Sequence, residues 1–413
     1  MGLDIRAIDD SDLYDWTLAL RTGFLREPAV QDEEIEFRRA KIDLSRTQGA
    51  FDSGTGRCVA TYRSFTQEIT AVGGAAVTAN AIANVTTSPT HRRRGLLTRM
   101  IGNDLRAAKE RGDLLATLIA AEYPIYGRFG FGPATWVSDW TVEVSRTGLD
   151  PRYSGPADGG STELVDCPTV AALGPELYER VRAVQHGAID RDKFWWQQLT
   201  SRTPGYPWTE PFCVVHRSPE GSVDGLLVYT VQYAWEAGQP QNTATVQDLI
   251  TATPAAERAL WHYLLSVDWI ARVETGHRAP DATLPELLPD ARAARIAAYT
   301  DFLWLRPLDV PRLLEARSYP IEGSLVLGVH DPAGLTEGRY LLETGPDGAS
   351  CVPTTESPDL YLDAGELGSL WLGDASAVRL TALGRIAEER SGAAARADLL
   401  LRTPRRPWCP DTF

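Results

Sequence analysis

Apolar residues recur three and four apart at Leu13, Trp16, Leu20 and Phe24, which predicts an amphipathic helix over residues 11–25 with Ser11 as its N-cap. Residues 32–44 predict a second helix behind an acidic first turn. Apolar runs rich in β-formers at 58–65, 69–77 and 79–86 predict strands. Residues 95–111 read as a helix stopped by Gly112, residues 114–120 as a short buried strand, and residues 123–129 as a short helix.

The Gly-, Pro- and Ser-rich stretch 148–163 marks a linker, and a second α/β segment follows to about residue 300. That segment echoes the first. "NVTTSPTHRRRGLLTRMI" is a strand, a turn and a helix, and "DLITATPAAERALWHYLL" (248–265) repeats the plan without the arginines and the glycine. A third segment holds strands in "GSLVLGVHDP" and over 338–343, a helix in "AGELGSLWLG", and a strand or helix over 396–401. The closing "TPRRPWCPDTF" carries three prolines and is expected to be extended. The division expected is 1–150, 151–302 and 303–413.

Composition narrows the function classes. The 413 residues are 43% hydrophobic and 23% charged, as in a globular protein. A net charge of −14 argues against nucleic-acid or anionic-membrane binding and suits a cationic small-molecule partner. No signal-peptide pattern is seen, and no apolar run approaches the ~20 residues of a membrane span. Five scattered cysteines without a CxxC suggest a reducing cytoplasm, and six histidines without paired spacing predict no metal site.

Against that acidic background, Arg92-Arg93-Arg94 precede Gly95 and a helix. A helix N-terminus offers unpaired N–H groups and partial positive charge, and a glycine there lets the backbone approach a ligand. Three guanidinium forks would add donors suited to phosphate. Alone, such a run is equally well a solvated basic turn.

The stretch Arg92-Arg93-Arg94-Gly95-Leu96-Leu97 resembles the coenzyme A loop of the GNAT superfamily of N-acetyltransferases, with Leu97 where a small residue is common. Downstream, "IYGRFGF" (125–131) resembles that superfamily's Tyr-x-x-x-Gly-Phe segment. With "TPAAERALW" and "LGSLWLG", these stretches resemble the enhanced intracellular survival (Eis) family across nearly the whole chain. The resemblance implies an α/β (α+β) fold of tandem acetyltransferase domains, the second lacking the coenzyme A loop, followed by a sterol-carrier-like domain. It also implies acetyl-CoA as co-substrate, aminoglycoside amines as acceptors and a cytoplasmic homohexamer.

By that resemblance acetyl-CoA lies along Val85, Thr86 and Thr87, its pyrophosphate on Arg93, Arg94, Gly95, Leu96, Leu97 and Thr98, with Ala121 and Glu122 beside the pantetheine arm. Tyr126 is the implied general acid, and the α-carboxylate of Phe413 the implied base. Tyr123-Pro124 departs from the smaller residues usual in the family. Phe24, Glu27 and Phe37 would border the acceptor cleft, with Asp32, Glu33 and Glu34 as further negative charge, although acids in a helix's first turn are ordinarily just solvated. Two readings stay open: acetyl transfer to polyamines, arylalkylamines or protein lysines, and a lipid carrier without catalysis.

Overall fold

The computed structural model describes residues 2–150, 152 and 155–413. Within the expected linker, Pro151, Tyr153 and Ser154 lie outside the described residues. Two compact units divide the chain. One holds everything up to Thr135 with Phe302–Pro404 and Asp411–Phe413; the other holds Trp136–Asp301 and Arg405–Pro410.

The first unit is built on a seven-stranded sheet in the order Leu3–Ala7, Thr47–Asp52, Cys58–Thr70, Ala76–Thr87, Leu115–Ile119, Leu303–Pro307 and Gly132–Pro133. The expected strand over 69–77 is instead the turn of a long hairpin, where Gly73 and Gly74 take φ of 97° and 93°. The strands Leu3–Ala7 and Thr47–Asp52 are additional to those expected. One pairing is parallel: Ala79↔Leu115 to Ile82↔Leu118. There the ladder stops, though the first strand runs on to Thr87. The cause is a bulge. Register against the neighbouring strand shifts between Thr61 and Arg63, and Asn84 sits at φ 56°. Extra residues in one strand bend it away from its partner, and asparagine tolerates the left-handed conformation. The two parallel strands therefore splay.

Helices cover both faces of this sheet. Leu13, Trp16 and Leu20 of Leu13–Gly23, with Ile35 of Asp32–Lys41, bury one core. Ser11 does not cap the first helix: it lies in the 3-10 turn Asp10–Asp12 that leads into it. There Asp9 accepts from Ser11 N and forms a reciprocal capping box with Asp12, and Asp12 at the helix's own N-cap makes no side-chain cap. On the other face, Leu96, Met100, Ile101, Leu105 and Ala108 of Leu96–Arg111 form the apolar stripe of a second core. Asp104 is buried within that stripe and accepts from Tyr62 Oη (2.9 Å), Ser64 Oγ (2.5 Å) and Asn80 Nδ2 (2.6 Å), which pins the helix to the hairpin.

Residues beyond Leu303–Pro307 form a five-stranded sheet in the order Gly348–Pro353, Gly338–Gly345, Gly323–His330, Leu360–Asp363 and Ile386–Glu388. The helix Ala364–Trp371 is buried on every side, which its small and apolar residues permit, its one charged residue, Glu366, being paired with Arg385. A Cβ on Gly132 would stand 1.9 Å from the Gly365 carbonyl oxygen, so backbone packs directly on backbone there. Residues 396–401 fall in the helix Ala393–Leu401.

The second unit repeats the plan: a sheet ordered Ala294–Asp301, Trp136–Glu143, Ile270–Arg278, Asn242–Thr251, Val223–Gln232, Phe212–Arg217 and Ser161–Val165. Its parallel pair joins Asn242–Thr251 to Ile270–Arg278, and Thr253 caps the helix Pro254–Leu265 between them. Residues 405–410 run without regular structure along this unit, Trp408 N donating to His186 O (3.1 Å).

Candidate active site

Past Thr87 the chain makes a short turn, Pro89–His91, before the helix Leu96–Arg111 begins. The turn is tied down. Ser88 N donates to Val59 O (2.8 Å), and the His91 ring bridges Thr90 Oγ1 (2.8 Å) and Asp52 Oδ2 (3.1 Å). Asp52 also accepts from Gly54 N and Thr55 N. His91 and these amides hold its carboxyl below the usual range, so the anchor is charged at neutral pH.

Between that anchor and the helix, Arg93 (φ 61°) and Gly95 (φ 72°) are both left-handed. Alternating left- and right-handed residues gather successive N–H groups into an anion-binding concavity. No side chain caps the helix, and a Cβ on Gly95 would meet nothing within 4 Å. Arg92, Arg93 and Arg94 are exposed around this open backbone. Donors, positive helix end and clearance coincide, which is the donor set a pyrophosphate requires.

A cleft of about 630 Å³ runs from this loop into the splay between the parallel strands. It is lined by every residue the sequence assigned to the nucleotide: Val85–Thr87, Arg93–Thr98, Ala121 and Glu122. Tyr126 and Phe24 line it as well. Sequence reasoning missed Gly23, His91, Ile125 and Arg128. Gly23 carried a legible signal as a glycine closing a helix: a Cβ there would lie 2.4 Å from Thr86 Cβ, so the helix end can approach the strand only as glycine.

Tyr126 is 8% exposed, on the short helix Tyr123–Tyr126, its ring edge-on to Phe131 at 6.3 Å. Burial, and secondarily the charge of Glu122, push its phenol up to about 12. The proton stays on Oη throughout the neutral range. The turn after it, Gly127–Phe129, hangs from Arg306, whose Nε donates to Phe129 O (2.6 Å).

Glu27, Phe37 and Glu34 stand elsewhere. Glu27 and Phe37 are not in the cleft lining: the Glu27 carbonyl accepts from Arg21 Nε (2.8 Å), and Phe37 lies 6.0 Å below the Lys41 ammonium. Glu34 is not free charge for a cation. It is 1% exposed and paired with Arg21 (2.8 Å) and Arg38 (2.9 Å). The Phe413 ring packs edge-on against Phe65 at 5.8 Å, with the Arg63 guanidinium 4.5 Å over Phe65.

Comparison with known proteins agrees with this geometry. Residues 4–134 and 187–306 each match a model described as an acetyltransferase (GNAT) domain, and residues 310–410 match a sterol carrier protein domain. An uncharacterised N-acetyltransferase of Streptomyces avermitilis is 60% identical over 100% of this chain and 99% of its own length. The N-acetyltransferase Eis of Mycobacterium tuberculosis is 34% identical over 80% of this chain and 79% of its own. The crystal structure of Eis1 from Mycobacterium abscessus superposes with a TM-score of 0.83 at 29% identity, covering 99% of this chain and 100% of that one.

Proposed function

This chain belongs to the Eis family of GNAT N-acetyltransferases, and we propose that it moves the acetyl group of acetyl-CoA to primary amines of aminoglycosides, at more than one position, by direct attack on the thioester. The observation that carries the reading is the continuity of one cleft from the Arg92–Arg94 loop, through the strand splay, to the Tyr126 side chain. An elongated anion held at one end places its far end beside a buried proton donor.

Acetyl-CoA supplies an activated acyl group and a thiolate leaving group. In this reading Arg92, Arg93, Arg94 and the amides around Gly95 hold the pyrophosphate, and the unpaired strand edge at Val85–Thr87 offers amide partners to the pantetheine. Tyr126 gives its proton to the departing sulfur as the amine nitrogen bonds to the carbonyl carbon. A phenol near 12 facing a thiol near 8.5 makes full stepwise transfer cost about 5 kcal/mol. The phenoxide must therefore recover a proton, ultimately the amine's, as it forms. The acceptor must also arrive as a free amine, and the α-carboxylate of Phe413 serves as the base that strips the ammonium. The aminoglycoside specificity, the cytoplasmic location and a homohexameric assembly follow the Eis resemblance.

The test is coenzyme A release with acetyl-CoA and an aminoglycoside panel, for the intact chain and one ending at Thr412. Turnover lost on truncation, with acetyl-CoA binding kept, is the expected result. Turnover unchanged by truncation removes the carboxylate from the mechanism. Turnover with polyamines, arylalkylamines or lysine peptides alone would replace the acceptor class and leave acetyl transfer standing.

A further inference from the structure

The second unit has a cleft of its own, at the same place in its topology. The parallel pairing of Asn242–Thr251 with Ile270–Arg278 spans only Asn242↔Ile270 to Thr245↔Glu274. Beyond it a cavity of about 410 Å³ lies against the start of the helix Pro254–Leu265. The helix end is not a phosphate seat. Thr253 Oγ1 already accepts from Ala256 N (3.2 Å), and Glu257 stands in the first turn.

Among the described residues four arginines line this cleft, of which Arg180 is paired with Asp224 and Arg191 with Asp248, and Arg405 is exposed; the buried Arg278 sits on another wall. Arg278 ends its strand, lines the cavity and is only 8% exposed. Its Nη1 donates to Leu249 O (3.3 Å), while its Nε has no acceptor among the described residues. The surrounding acids are engaged elsewhere. Asp248 forks onto Arg191 (2.8 and 3.1 Å), Asp281 accepts from Arg406 N (3.0 Å), Glu257 from Thr283 Oγ1 (3.1 Å), and Asp139 meets His277 (2.7 Å). Beside Arg278, with its ring centroid 5.4 Å from the guanidinium carbon, Trp408 lines the same cavity, and its Nε1 also lacks an acceptor. Two neighbouring buried donors without an acceptor are a rare arrangement, because unmet donors cost free energy.

We infer that this cleft binds a small organic oxyanion, a carboxylate or a phosphate monoester, on the Arg278 guanidinium and the Trp408 indole N–H. The planar fork of arginine suits both oxyanions. Val181, Ile250 and Pro254 supply apolar wall for the ligand's body. Without an arginine loop or an open glycine at the helix start, the site takes a ligand shorter than a nucleotide cofactor. Burial draws the Arg278 pKa down, and a bound anion would restore it.

The experiment is isothermal titration of the full chain with phenyl phosphate and, separately, benzoate, the two arms distinguishing the oxyanions. One arm is expected to bind with 1:1 stoichiometry. Arg278→Gln should weaken it at least about tenfold and Trp408→Phe, which keeps the ring, a few-fold. The Arg93→Gln/Arg94→Gln double variant, in which the first cleft has lost phosphate donors, should keep this 1:1 binding, so the result stands whether or not the first cleft holds acetyl-CoA. Should Arg278→Gln fail to fold, Trp408→Phe carries the comparison. Absence of 1:1 binding by both probes, unchanged affinity in Arg278→Gln or, failing that, in Trp408→Phe, or loss in the double variant would overturn the inference.

Discussion

Arg306 Nη2 stands 3.0 Å from each oxygen of Asp331, and the two side chains are 0% and 1% exposed. Asp331 also gathers the amides of Ala333, Leu335 and Thr336 and the Thr336 hydroxyl. Because Arg306 holds Phe129 O in turn, a loop of the C-terminal five-stranded region fixes the turn that follows Tyr126. Whatever else that region binds, it buttresses the site.

Asp331→Asn should leave the Arg306 charge uncompensated and cost about 3–5 kcal/mol, read by urea unfolding. Burial alone would raise the Asp331 pKa, but Arg306 and the Thr336 donors more than offset it and hold it below 3.8. Its contribution is therefore complete above the unfolded value of 3.8 and lost as pH falls through the lower folded value. Unfolding of the wild type should show that acid loss and Asp331→Asn should not.

Two glycine substitutions should separate binding from folding. Gly132→Ala drives a methyl into the Gly365 carbonyl and is expected to cost several kcal/mol or abolish folding. Gly95→Ala meets only open space and carries about 1–2 kcal/mol of left-handed strain. It should raise the KM for acetyl-CoA with a small change in Tm, by steady-state kinetics and thermal melts.

Tyr126→Phe is expected to lower kcat by about 10²–10⁴ with acetyl-CoA binding retained. With the folded phenol near 12 against 10 in the unfolded chain, neutral Tyr126 contributes stability that is full below pH 10 and lost as pH rises through about 12. Alkaline unfolding should be shallower in Tyr126→Phe than in the wild type.

Phe65→Ala removes the edge-on partner of the C-terminal ring. Such pairs contribute about 0.5–1.5 kcal/mol, so docking of Phe413 should weaken by about 2–12-fold. If the carboxylate is the base, kcat falls by up to that factor, less than on deleting Phe413, and added salt or buffer base should not reproduce the effect.

Local signals carried most of the first cleft. A glycine after three arginines, a helix stopped at Gly112 and a Tyr-x-x-x-Gly-Phe run are each confined to a few residues, and each lies where its pattern implied. What escaped depends on pairings far apart in sequence. Nothing near Arg306 announces that it will meet Phe129 and Asp331, and nothing near Asn84 announces a bulge that needs Tyr62 opposite. The terminal strands Leu3–Ala7 and Thr47–Asp52 escaped for another reason: each is short and half polar, and the sheet beside them supplies the pairing that their own pattern does not advertise.

Leu303–Pro307 pairs along the whole of Leu115–Ile119, and Trp136–Glu143 belongs to the other sheet. A ribosome must therefore deliver some three hundred residues before the Leu115–Ile119 side of the first sheet is paired. Until then Leu115–Ile119 presents unpaired backbone and apolar side chains to any neighbouring nascent chain. A gene fragment cut where the first acetyltransferase match ends, at residue 134, would encode the Arg92–Arg94 loop and Tyr126 but not the strand that completes the pairing of Leu115–Ile119. Expressed alone, it should associate edge to edge rather than fold as a miniature of the first unit, because the strand that pairs with Leu115–Ile119 is encoded far downstream.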